Sequence, residues 1–183
     1  MADFIQNIKL KLAWWKLNKE HRKLVRNASF QNYTTAKTVG VIFNATQQET
    51  YELAKNYIQL LSKKENLKVK ALGFVDSKEV LDFYQKSVFF DYFSRKNLNW
   101  YSRPNNPNTQ EFINTKFDIL IDLSIIEDFP IQYIVGLSRA TFKVGCVKEN
   151  KNFYDFMLQL GDKKDLKFFI EQLEHYLGMI KKE

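Results

Sequence analysis

Lys9, Trp14, Trp15, Lys16, Lys19, Arg22, Lys23 and Arg26 bring cations and indole rings together in one short segment near the start of the chain. Such cations neutralise phosphates, and binding of that kind weakens as salt rises. Indoles stack on bases or settle at a membrane–water interface. A second set comprises Asn44, Thr46, Asp122 and Ser124, which end or follow two apolar runs of strand length. If those runs are neighbouring parallel strands, the four polar side chains meet at the carboxyl edge of a sheet. Open α/β sheets bind ligands there, and two helix N-termini aimed at that crevice favour an anion. The competing account reads Thr46–Glu49 and Ser124–Glu127 as capping boxes, with Asp122 serving nearby backbone.

Other catalytic patterns are missing. The turn after the first apolar run, Asn44-Ala45-Thr46-Gln47, has no glycine-rich phosphate loop and no Walker lysine. His21 and His175 lie far apart, and no His-x-x-x-His or Cys-x-x-Cys spacing occurs. Cys146, the single cysteine, sits mid-strand and reads as core. Ser138 lacks the flanking glycine and the preceding strand of a nucleophile elbow. Asp118 and Asp122 share a strand face, but Asp118 starts that strand, which makes them a poor acid–base pair. The sequence therefore predicts no catalytic residue, no metal and no cofactor. One further stretch, Phe89–Arg103, mixes Phe89, Phe90, Tyr92, Phe93, Trp100 and Tyr101 with Arg95, Lys96 and Arg103. It suits either base stacking or the packing of a strand and a long loop.

The elements that position these residues follow from periodicity. Residues 3–26 read as a helix with two opposed apolar stripes, Phe4, Ile5, Ile8, Leu12 and Trp15 on one and Leu10, Trp14, Leu17 and Leu24 on the other. Such a helix has two surfaces to cover. Residues 27–37 read as a polar connection. Strands are predicted at Thr38–Asn44, Leu67–Val75, Phe89–Phe93, Asp118–Leu123 and Thr141–Val147, with an edge strand within Phe153–Leu160. Helices are predicted after Thr46, from Ser77 to Tyr84, around Thr109–Asn114, from Pro130 to Ser138, and from an Asp162 cap through Ile180. Alternating helices and wholly apolar strands predict an α/β fold, a doubly wound and mainly parallel Rossmann-like sheet with the first strand near its centre. Gly40, alone inside the first strand, marks close packing.

Charge divides the chain at the same place. Residues 1–37 hold eight basic and two acidic side chains, out of a net charge of +7. Residues 1–34 thus read as a basic amphipathic helical leader and 35–183 as one α/β domain. No apolar run is long enough to span a membrane. Lys9, Lys11 and Lys16 break any secretory core, so the expected location is the cytoplasm.

Two resemblances add to this reading. Phe117–Ser124, Tyr133–Ala140, Phe142–Gly145, Ala36–Phe43 and Phe93–Trp100 resemble an uncharacterised family of small bacterial proteins over nearly the whole chain. That resemblance implies no activity. Residues 117–145 are also similar to part of the N-terminal Rossmann-like domain of heptosyltransferase-like glycosyltransferases, through the Asp118-Ile-Leu-Ile-Asp122-Leu strand and the following Leu137-Ser138 and Val144-Gly145. That likeness implies the fold. It does not carry the activity, because the second nucleotide-holding domain and the glycine-rich first turn are missing.

Three functions are expected, in order. The first is a non-enzymatic protein engaging RNA or the ribosome through Lys9, Lys16, Lys19, Arg22, Lys23 and Arg26, with Trp14 stacking. The second is a peripheral protein at an anionic membrane surface, with Phe4, Ile8, Leu12 and Trp15 inserted. The third is an enzyme, or the relic of one, holding a small anion at the Asn44, Thr46, Asp122 and Ser124 crevice.

Overall fold

Val39, Val41, Ile42 and Phe43 make Thr38–Asn44 apolar on both faces, so this segment is stable only between two layers. In the computed structural model it is β1 (Thr38–Asn44), with its whole interior buried. The structure describes residues 2–64, 67–78, 84, 89–148, 153–161 and 165–179. The expected helix from Ser77 to Tyr84, the Asp162 cap and Ile180 lie largely or wholly outside the described residues.

β1 pairs in parallel with β2 (Lys68–Val75) on one side and β4 (Ile119–Asp122) on the other. β3 (Phe90–Ser94) flanks β2, and β5 (Phe142–Cys146) and β6 (Phe156–Leu158) follow β4. The order is β3-β2-β1-β4-β5-β6 with every pairing parallel, a Rossmann-like sheet with β1 central. Gly40 lets the Phe117 ring lie on β1, since a Cβ there would stand 2.6 Å from it.

Helices cover both faces. On one, α2 (Gln48–Ser62) and α5 (Leu166–Met179) bury Ala54, Ile58, Leu61, Phe169 and Leu173 against Val39, Val41 and Phe43. On the other, α1 (Ala2–His21), α3 (Pro107–Asn114) and α4 (Phe129–Leu137) meet Ile42, Leu72 and Leu120. Each fully buried aliphatic side chain contributes about 1.5–3 kcal/mol.

The leader helix packs on this second face. Ala13 and Leu17 are buried, and Trp14 stands edge-on to Phe129, with ring centroids 5.3 Å apart. The helix ends at His21, short of the predicted Arg26. His21 Nδ1 donates to the Gly136 carbonyl at 2.7 Å. The Arg26 guanidinium then binds the Ala140 and Thr141 carbonyls and Asp155, drawing the chain off the helix axis. Residues 27–37 run on as an ordered connection, with Ser29 N–H on the Thr141 carbonyl and Tyr33 N–H on that of Leu177.

Neither predicted capping box forms. Gln47 precedes α2 and Asp128 precedes α4, and neither side chain caps its helix. Thr46 Oγ1 instead accepts from Asp76 N–H at 2.8 Å, which ties the β1 and β2 ends together. Ser124 lies too early, because the chain runs on to Asp128 before α4 begins.

Candidate functional site

Two surfaces gather the residues with chemical capacity. The first is the outer side of α1. Ala13 and Leu17 face the domain, so the opposite stripe points to solvent: Phe4 is 70% exposed, Ile8 51% and Trp15 57%. Lys9, Lys11, Lys19, Arg22 and Lys23 are exposed and Lys16 is half-buried. The loop after β3 comes up beside this helix. Its Tyr101 ring receives the Lys16 ammonium 4.3 Å from its centroid, and Lys19 lies 5.3 Å from the Trp15 ring. Trp15, Lys16, Lys19, Glu20, Lys23, Tyr101 and Arg103 together line a shallow concavity of about 290 Å³.

Glu20 organises this concavity from within, accepting from Arg103 at 3.3 Å and from the Tyr133 hydroxyl at 3.0 Å. Burial pushes the Tyr101 hydroxyl up, but hydrogen bonds from Arg103 and Asn99 and the charges of Arg103 and Lys16 outweigh it and hold it below the usual phenol range. The cation–aromatic contacts preorganise the edge of the surface. Trp100, 61% exposed, stands edge-on to Tyr101 at 5.0 Å and extends the aromatic rim.

Not every predicted contact residue reaches this surface. Trp14 is half-buried between Phe129 and Phe153, and Arg26 is committed to Asp155 and two carbonyls. Both anchor the helix. Tyr101 and Arg103 join from a region that the sequence flagged as aromatic and basic but gave no link to α1. Only the fold brings them within reach across some eighty residues of chain.

The second surface is the crevice at the carboxyl ends of β1 and β4, about 450 Å³. The parallel β1–β4 pairing sets Ile42 opposite Asp122 and brings the four predicted residues to one edge. Asn44, Thr46 and Ser124 line the crevice. Asp122 lies fully buried, accepting from Ser124 N–H at 2.8 Å, from the Tyr154 hydroxyl at 2.6 Å and from Gln132 at 3.2 Å. Gly145 gives Tyr154 its room, since a Cβ there would stand 2.5 Å from the ring. The Lys148 ammonium stands 3.8 Å from Asp122 and donates to Cys146 Sγ at 3.2 Å. Cys146 packs in the core, and burial raises its thiol despite Lys148.

Sequence reasoning missed the carboxylates of the crevice. Glu49, Asp76, Asp128 and Asp165 line it, and among the described residues no lysine or arginine does. Asp76 is paired with Arg95, and Asp128 accepts from the Asn44 amide. Burial lifts Asp128 above the usual carboxylate range, opposed by the Asn44 hydrogen bond and the charge of Lys148 and reinforced by the charges of Asp76 and Asp122. The available signal was Asp76 directly after β2 and Asp128 directly before α4, two acids at strand-end and helix-start positions.

Among the described residues no group of three or more His, Cys, Asp or Glu side chains is arranged to hold a metal ion, and no helix is long and apolar enough to cross a membrane. No curated protein and no solved structure matches the chain. A family model does match, over residues 9–180, and so takes in most of α1 together with every strand and helix of the sheet: the chain belongs to DUF6913, a family of unknown function.

Proposed function

We propose that this chain is a non-enzymatic binding protein that engages RNA, free or within the ribosome, through the outer surface of α1 and the neighbouring loop. The observation that supports the reading most is the convergence of Trp15, Lys16, Lys19 and Lys23 with Tyr101 and Arg103 on one open concavity. Exposed aromatic faces stack bases without regard to sequence, and cations beside them follow the phosphates. Lys9, Lys11, Lys16, Lys19, Arg22 and Lys23 have no carboxylate within ion-pair distance among the described residues, so their charge is available to a polyanion. Trp15 takes the stacking role that the sequence gave to Trp14. A cytoplasmic location belongs to the same reading, in keeping with a single buried cysteine that forms no disulfide.

A second reading rests on a different observation. Phe4, Ile8 and Trp15 form an exposed apolar line flanked by Lys11 and Lys19, a pattern that suits the interface of an anionic bilayer. Nucleic acid has no use for the aliphatic Ile8, whereas a bilayer has no use for the Tyr101–Arg103 side of the concavity.

The experiment is recovery of endogenous RNA on the full chain and on Lys16→Glu/Lys19→Glu/Lys23→Glu. Salt-sensitive RNA recovered with the parent and lost with the variant supports the first reading. RNA recovered equally by both, or capture of anionic vesicles with no RNA, contradicts it.

A further inference from the structure

The crevice at the ends of β1 and β4 shares no lining residue with the α1 surface and needs its own occupant. A strand-end crevice between two helix N-termini ordinarily takes an anion. Here the lining reverses that preference, with Glu49, Asp128 and Asp165 around the opening and no cation among the described lining residues. Arg95 offsets Asp76 alone, holding it with Nε and Nη2. A phosphate entering would meet like charge on several sides.

A second, independent observation marks the crevice as unfinished. Ser124, which lines it, is only 3% exposed, yet its Oγ has no hydrogen-bond partner among the described residues. Buried hydroxyls are nearly always paired, and an exception calls for a cause. A donor-rich group seated against Asp128 would complete both the hydroxyl and the carboxylate. The opposite wall is apolar, formed by Leu53, Leu123, Ile125 and Leu166. The volume of about 450 Å³ lies in the range of small-molecule sites.

We propose that this crevice binds a small organic cation, a primary amine carried on an apolar body, with the ammonium donating to Asp128 and Ser124 Oγ and the body lying on Leu53 and Leu166. An inorganic cation fits less well, because no metal-holding cluster occurs among the described residues. A neutral alcohol could use the hydroxyl and the apolar wall but would leave the carboxylates unanswered.

The test uses the full chain in calorimetric titrations with butylamine, 1,4-diaminobutane and 2-phenylethylamine, at ionic strength matched with sodium chloride. The neutral analogue 2-phenylethanol and sodium phosphate serve as controls. At least one amine is expected to bind saturably, and its matched alcohol or phosphate to bind at least about tenfold more weakly. Asp128→Asn, which keeps a residue suited to precede a helix, is expected to lose about tenfold in affinity, and Ser124→Ala about threefold. Asp165→Asn, at an exposed position, provides a second carboxylate variant that leaves the fold intact. The proposal is overturned if none of the three amines binds, if phosphate or the alcohol binds as tightly as the amine, or if both carboxylate variants bind it unchanged.

Discussion

The α1 surface and the strand-end crevice carry opposite charge and were assembled in opposite ways. The crevice is a product of topology. Its residues sit at strand ends, and the parallel pairing of β1 with β4 brings them together. The α1 surface is a product of composition, since most of its cations lie on one helix and need only that helix to stay docked. Nearly all the excess positive charge belongs to residues 1–37, while the charged residues described along the crevice are all acids. The difference teaches that a net charge of +7 describes neither surface. On the proposed reading one face suits a polyanion, while the acids lining the strand-end crevice disfavour one.

The largest expected effect breaks the crevice side alone. Asp122→Ala removes a buried carboxylate 3.8 Å from the Lys148 ammonium and strips an acceptor from the Tyr154 hydroxyl, the Gln132 amide and the Ser124 N–H. The expected loss is about 3–5 kcal/mol of stability, read from urea midpoints. The α1 residues are untouched, so the folded fraction should bind RNA as the parent does. An intact midpoint would show that the buried network contributes little.

The two adjacent tryptophans sharpen the comparison within α1. Trp14→Ala removes an aromatic anchor against Phe129 and Phe153 and should cost about 2 kcal/mol, below the full core value because the ring is half-buried. Trp15→Ala should change stability by no more than about 0.5 kcal/mol, yet lower RNA affinity about fivefold or more through lost stacking. Equal effects of the two variants on stability would refute the division of labour between them.

A comparable effect concerns a buried lysine between β5 and α4. Lys143 is fully buried, with Nζ donating to the Val135 carbonyl at 2.7 Å. Burial, aided by the charge of Arg26 and opposed by Asp155, pulls its ammonium down to about 7. The unfolded chain keeps a lysine protonated to about 10.4. Between those values the unfolded state binds more protons, so stability should rise with pH from about 7 to 9. Lys143→Met should flatten that rise in melting temperature. A parent protein with no rise would remove Lys143 from the account.

How far the sequence could be read depended on whether a signal was local. β1 was legible to its end residues because Val39, Val41, Ile42 and Phe43 leave no polar face. The close approach at Gly40 was legible for the same reason, as a gap inside an apolar run. The roles of Trp14 and Trp15 were not, since both stripes of α1 are apolar and only docking on α4 decides which one is buried. Arg26 looked like any other cation of the leader until Thr141 and Asp155 drew it inward. Thr46 and Ser124 matched capping boxes, but where a helix starts is set by where the sheet delivers the chain, and both residues fall short of it. The acids of the crevice come from four separate segments, and no spacing rule links them.

The most direct test of the central claim is the affinity of a single-stranded oligouridylate for the full chain, followed by fluorescence anisotropy across a series of salt concentrations. With up to six cations on phosphates, four from α1 and Arg22 and Lys23 just beyond it, log K should fall linearly with log salt at a slope of about −3 to −4. Lys19→Glu/Lys23→Glu should weaken binding by tenfold or more and reduce the slope by about 1.4. No binding at low salt, or an unchanged slope in the variant, would contradict the assignment of the α1 surface to RNA.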